Sequence, residues 1–111
     1  MTRDEVYIEF AIKILEIISR DELTNPGAMN RLKLYYAKVQ DDELQDAVLD
    51  FCDSNGVGYS ISYVPKSKKH TAIFDSYSWT NMPEIKIKDE DLTYAMVQGC
   101  LKVYDRLQIL K

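Results

Sequence analysis

The fold of this 111-residue chain is decided by residues 59–79, YSISYVPKSKKHTAIFDSYSW, where the apolar pattern changes its period. In residues 59–63 large side chains alternate with serine, as they do on a half-buried strand. Residues 71–79 predict a second strand, with Ile73, Tyr77 and Trp79 on one face and Ala72 and Phe74 on the other. The lysine-rich loop 65–70 between the two segments predicts a β-hairpin. Residues 84–88 form a third, short alternating strand whose lysines suit an exposed edge or face.

Before these strands the apolar spacing is helical. Ten side chains between residues 6 and 18 are apolar, and the charges of Glu9, Lys13, Glu16 and Arg20 fall on one narrow stripe. At about 100° per residue the apolar arc spans roughly 240°, which is wider than the buried face of an ordinary surface helix. We expect this first helix to run to about Arg20. It must be covered either within its own domain or by a second copy of the chain.

Three further helices are predicted, at residues 27–39, at residues 41–54 and from Asp89 onwards, the last with Gly99 on its apolar stripe where a close neighbour could pack. The expected order is α-α-α-β-β-β-α, in a single domain spanning 1–111. The fold class is therefore α+β, a three-stranded antiparallel meander with helices packed on it. We expect the 41–54 helix and the last helix to cover one face of the sheet, and the first helix to close the opposite face.

Composition narrows the class of protein. The net charge is -4, and it is uneven, because residues 1–54 are acidic whereas residues 55–88 are weakly basic. Two cysteines, Cys52 and Cys100, make no disulfide scaffold, so we predict reduced core thiols. The acidic N-terminus does not resemble a signal peptide, and charges interrupt every long apolar stretch. We therefore expect a cytoplasmic protein that does not bind membranes.

One face of the 41–54 helix is a candidate site. Glu43, Asp46, Asp50 and Asp53 follow an i, i+3, i+7, i+10 pattern, which places four carboxylates on one side without a compensating base. Such a row can imitate the charge spacing of a nucleic-acid backbone and occupy a basic groove of another protein. The alternative interpretation is the solvated side of an amphipathic helix.

The basic hairpin loop is the second candidate site. It contains Lys66, Lys68 and Lys69, and basic loops beside aromatic side chains can bind nucleic acid. The aromatic residues of the neighbouring strands are Tyr59, Tyr63, Tyr77 and Trp79. The helix-strand-strand-strand-helix order from residue 41 resembles that of the double-stranded-RNA-binding domain. That family carries a basic N-terminus on its last helix, whereas residues 89–91 here are acidic and would repel phosphates. The alternative is a solvated loop above a tyrosine-rich core.

Motifs for catalysis and for bound cofactors are missing from the sequence. There is no P-loop, dinucleotide fingerprint or Cys-x-x-Cys pair, and residues 53–56 fail the register of a calcium loop. No sharp glycine turn carries Cys52 or Cys100, so neither is expected to form a nucleophilic pair with His70. We expect no enzyme activity, no cofactor and no metal site.

These observations favour a non-enzymatic protein-binding module whose partner is a protein with a basic surface. In general character the chain is similar to accessory proteins of phages and mobile elements, some of which inhibit nucleic-acid-processing and CRISPR effectors of the host. A second hypothesis is a structural homodimer whose interface lies on the first helix and contains Val6, Phe10, Ile12 and Ile17. A third is a nucleic-acid-binding module that uses the basic hairpin.

Overall fold

The computed structural model describes residues 1–76 and 83–110, and it confirms the predicted order of helices and strands. The elements are α1 (Arg3–Phe10), α2 (Pro26–Lys38), α3 (Asp41–Ser54), β1 (Val57–Val64), β2 (Lys69–Ser76), β3 (Ile85–Asp89) and α4 (Leu92–Leu110). The strands form one antiparallel sheet in the order β1-β2-β3. The predicted strand positions of Tyr77 and Trp79 lie outside the described residues.

One face of the sheet is buried under α3 and α4, as predicted. Phe74 on β2 pairs with Tyr59 on one side and with Ile85 on the other, and Ala72 pairs with Ile61 and Ile87. Residues that pair directly across an antiparallel sheet share a face. Four side chains of this face, together with Val57, lie in the main core with residues of α3 and α4: Ala72, Phe74, Ile85 and Ile87.

The opposite face of the sheet is not covered by the first helix, and that expectation was wrong. Ser60, Ser62, Lys86 and Lys88 of this face are exposed. Serine and lysine side chains keep their hydration on the two outer strands, whereas Thr71 of β2, which pairs with Ser62 and Lys88, is buried. Helix α1 packs instead on α4, on the same side of the sheet as the main core.

The first helix also ends earlier than predicted. After α1 the chain makes one π-helical turn, Ala11–Leu15, and Glu16 then adopts the left-handed conformation with φ 54°. The amide groups of Glu16 and Ile17 both donate to the carbonyl oxygen of Ala11. The chain reverses direction at this point and enters a short 3-10 helix, Arg20–Thr24, so the predicted extension to Arg20 is wrong.

Two separate apolar clusters hold the helices. The main core contains Cys52 and Cys100, which are completely buried, in agreement with the prediction of core thiols. The smaller cluster packs α2 against the segment that follows α1. It contains Ala11, Ile18, Ala28 and Leu32.

Candidate protein-binding surfaces

Helix α3 separates its apolar and acidic residues cleanly. Leu44, Val48 and Cys52 are buried against α4 and the sheet. The first turn carries Asp41 and Asp42, where negative charge is favourable beside the positive end of the helix dipole. Burial of one face thus fixes which face of α3 points to solvent.

The exposed face of α3 contains all four predicted acidic residues. Glu43, Asp46, Asp50 and Asp53 are exposed, and Asp42 falls within the same arc of about 100°. None of these five carboxylates forms an ion pair with a residue in 1–76 or 83–110. At about 1.5 Å rise per residue, the row from Glu43 to Asp53 is roughly 15 Å long. We call these five residues the acidic face of α3.

The lysines of the hairpin form a separate basic tip. Lys66, Lys68 and Lys69 are exposed at the turn between β1 and β2, and Lys68 has a φ of 56°. At the base of the tip the rings of Tyr63 and His70 lie 4.7 Å apart between centroids. Strand β1 separates the basic tip from the end of α3 by about 26 Å, at about 3.3 Å per residue. Within one copy, the acidic face and the basic tip are therefore two surfaces.

The start of α4 is acidic, in contrast to the RNA-binding family that the element order resembles. Asp91 accepts a hydrogen bond from the amide of Tyr94, and its own amide donates to Asp89. Partial burial opposes ionisation of Asp91, but hydrogen bonds from Tyr94 and Arg3 outweigh it and hold the pKa of Asp91 below its ordinary value. A stable carboxylate therefore occupies the position where that family would contact phosphate.

Only two of the four residues predicted for a dimer interface on the first helix are accessible. Val6 and Phe10 are 7% and 0% exposed and belong to the main core, so they offer no surface to a second copy. Burial against α4 explains much of the wide apolar arc without any partner. Ile12 is half-buried and Ile17 is 47% exposed, and both line a shallow depression beside Arg20.

Sequence reasoning missed an uncovered apolar stripe on β1. Tyr59, Ile61 and Tyr63 lie on the core face of the sheet but are 41%, 42% and 50% exposed. Helices α3 and α4 cover β2, β3 and only the first residue of β1, Val57. The alternating pattern indicated a strand, but it could not show that the strand would be an outer one extending beyond its helical cover.

A groove of about 410 Å³ lies between α1, α2 and the start of α3. Tyr7 and Tyr36 line it, and the hydroxyl of Tyr36 donates to the carbonyl oxygen of Tyr7 at 2.6 Å. Arg3 at the rim is paired with Asp91 and packs over the ring of Tyr94 at 4.5 Å. The groove therefore combines aromatic walls with a cation that already has a partner.

Both cysteine thiols are buried, which makes them poor nucleophiles. Burial raises the pKa of the Cys52 thiol to about 12 and also raises that of Cys100. No cluster of three or more His, Cys, Asp or Glu residues within 1–76 and 83–110 could hold a metal ion. In the same part of the chain, no helix has the length and apolar character needed to cross a bilayer.

No protein-family model, curated protein or solved structure matches this chain.

Proposed function

We propose that this protein is a non-enzymatic binding module that docks on a basic surface of another protein through the acidic face of α3. The observation that carries the proposal is the set of five exposed carboxylates on one helix face, without an ion pair among the described residues. Exposed charges of one sign steer a complementary partner into contact and fix its orientation.

The spacing of the acidic face supports a more specific role. Four carboxylates over roughly 15 Å place one negative charge about every 5 Å, which is of the same order as the axial charge spacing of one strand in a nucleic-acid duplex, about 3.4 Å. A groove that binds nucleic acid through Lys and Arg can accept such a row in place of phosphates. We therefore propose that the module inhibits a nucleic-acid-processing effector by competing for its basic groove, as some accessory proteins of phages do.

The buried thiols are consistent with this proposal. Cys52 and Cys100 are free and enclosed by the main core, and a raised thiol pKa removes the thiolate that a nucleophile requires. Free thiols also suit the reducing conditions of the cytoplasm, which is where we propose that the protein acts.

Charge reversal tests the proposal. Glu43→Lys, Asp46→Lys, Asp50→Lys and Asp53→Lys are combined in one variant. A matched control replaces four exposed acidic residues outside the acidic face with lysine, so that both variants have the same net charge. These residues are Glu16, Asp21, Glu84 and Glu90. Each protein is immobilised, incubated with host lysate, and its retained proteins are quantified by mass spectrometry, after circular dichroism has verified folding.

We expect partners that are retained by the native chain and by the control but lost from the acidic-face variant. Addition of a DNA or RNA duplex should release them, because both ligands would occupy one basic groove. Undiminished capture by the acidic-face variant would exclude the acidic face as the docking surface. If the control variant loses its partners to the same extent, net charge alone explains the loss of capture.

A further inference from the structure

We propose that two copies of this chain pair through the free edge of β1 and form one continuous six-stranded antiparallel sheet. Strand β1 is an outer strand, so the backbone amides and carbonyls along its far side have no partner in the described sheet. Proteins usually blunt such edges with charges, proline or a very short strand. Strand β1 is eight residues long, and Val57–Val64 contain no charged residue and no proline.

The outer strand on the other side of the sheet differs in this respect. Strand β3 has only five residues, and Lys86 and Lys88 stand exposed along it. The two edges are therefore not equivalent, and only β1 is long and uncharged. Such an edge favours pairing with another strand.

The sequence of β1 selects a second copy as that strand. Residues 59–63, YSISY, read identically in both directions about Ile61. Antiparallel pairing about a two-fold axis at Ile61 sets Ile61 opposite its own copy, Tyr59 opposite Tyr63, and Ser60 opposite Ser62. Two-fold symmetry makes the tyrosine and serine contacts occur twice, and the palindromic sequence makes both members of every pair the same residue type.

This register buries the apolar stripe that α3 and α4 leave uncovered. Tyr59, Ile61 and Tyr63 from each copy would adjoin on the helix side of the joined sheet, where they are 41–50% exposed in the single chain. Cross-strand pairs of aromatic and β-branched residues stabilise a sheet more than alanine pairs do. A slip of one residue would set Ile61 against serine and lose these pairs.

Charge complementarity supports the same arrangement. The pairing places the end of β1, and the basic tip that follows it, near the start of β1 in the second copy, which comes directly after the end of α3. The basic tip of each copy thus lies beside the end of the other copy's α3, next to Asp53. Cations are favourable at this position because the helix dipole is negative at its C-terminus. The contact occurs twice in the pair and leaves Glu43, about 15 Å further along α3, open to solvent.

A charge-pair experiment on the full chain tests the inference. The molar mass of the native protein at tens of micromolar is measured by light scattering after gel filtration, and we expect a dimer. Ile61→Lys and Ile61→Glu should each be monomeric, since like charges would meet at the two-fold axis. An equimolar mixture of the two should regain the dimer mass. Ile109→Lys, at a 77% exposed position on α4, is the control and should leave the mass unchanged.

A cysteine variant provides a second measurement that does not depend on a charge being tolerated. In Ile61→Cys the paired Cα atoms would lie about 4.5–5.5 Å apart, within disulfide range. Mild oxidation should convert this variant to a covalent dimer, whereas Ile109→Cys should stay largely uncrosslinked. A monomeric native protein, or a dimer whose mass survives both Ile61 charge variants, would overturn the β1 pairing. Failure of this test would leave the proposed role of the acidic face intact.

Discussion

The aromatic ring of Phe74 on β2 lies directly against Gly99 on α4, so closely that a Cβ atom at residue 99 would overlap the ring. Phe74 is among the largest completely buried side chains, and Gly99 is buried opposite it. The absence of a side chain at Gly99 therefore sets the distance between α4 and the sheet.

We expect Gly99→Ala to destabilise the fold. Overpacking in a well-packed core costs about 1–3 kcal/mol, and this exceeds the gain of about 1 kcal/mol from replacing glycine in a helix. Urea unfolding followed by circular dichroism measures the difference. Lys102→Ala, on the exposed side of α4, is the control and should change stability little. A Gly99→Ala variant as stable as the native protein would contradict the close packing.

Glu9 should contribute to the pH dependence of stability. Hydrogen bonds from Arg20 at 2.8 Å, together with the nearby charge of Lys13, hold the pKa of Glu9 below its ordinary value. The unfolded chain therefore binds more protons than the folded chain between the two pKa values. The stabilisation from Glu9 is present above its unfolded pKa, about 4.3, and is lost as the pH falls through its folded pKa.

Glu9→Gln should remove this contribution. Because Arg20 is 57% exposed, solvent screens the pair and we expect a loss of about 1 kcal/mol or less at pH 7. The difference between the native protein and Glu9→Gln should shrink as the pH is lowered below 4. Thermal unfolding over a series of pH values measures it, and a difference that does not change with pH would argue against the ion pair.

The two thiols should be inert in the folded protein. Cys52 and Cys100 are 0% exposed, and burial raises the pKa of both groups, so almost no thiolate exists at pH 8. A chromogenic disulfide reagent should modify neither thiol under native conditions and both in guanidinium. Rapid reaction of one thiol in the native protein would indicate local opening of the core at that cysteine.

The basic tip offers a test of the nucleic-acid alternative. Filter binding should detect no more than weak, salt-sensitive retention of DNA or RNA, because Asp91 keeps the start of α4 negative. Lys66→Glu, Lys68→Glu and Lys69→Glu together should remove whatever retention exists. Tight binding that survives moderate salt and disappears in this variant would favour a nucleic-acid-binding module. Retention that the variant leaves unchanged would place the contact elsewhere.

Much of the fold follows from periodicity. Residues 41–54 form α3 as predicted, because four acids and three buried apolar residues occupy opposite sides of one helix. The three strands follow from alternation. The close neighbour expected at Gly99 is present as Phe74. These features depend on local spacing, which a single sequence displays directly.

The end of the first helix could not be predicted from local spacing. Glu16 adopts a left-handed conformation without being glycine or asparagine, and no proline occurs in residues 17–25. Tertiary contacts decide this reversal, since Ile18 enters the smaller cluster and Arg20 reaches back to Glu9. The sequence placed Arg20 on one helical stripe with Glu16, and the early end of the helix removes that alignment.

The sequence predicted one of the exposed surfaces correctly and missed another. Exposure of Glu43, Asp46, Asp50 and Asp53 followed from their spacing on α3. The uncovered stripe on β1 was not foreseen, because it depends on which strand is outermost and on how far the helices reach across the sheet. Both are properties of the assembled fold and not of the strand itself.

The division into two apolar clusters has a consequence for motion. Helix α2 is held by the smaller cluster, through Ala28 and Leu32, by the hydrogen bond from Tyr36 to Tyr7, and by partly buried contacts of Tyr35 and Tyr36 at the edge of the main core. Most of the main core belongs to other elements and can stay intact when these few contacts break. Amide protons of α2 should therefore exchange with solvent through a local opening that costs less free energy than global unfolding. Helix α2 can therefore detach while α1 stays anchored in the main core through Val6 and Phe10.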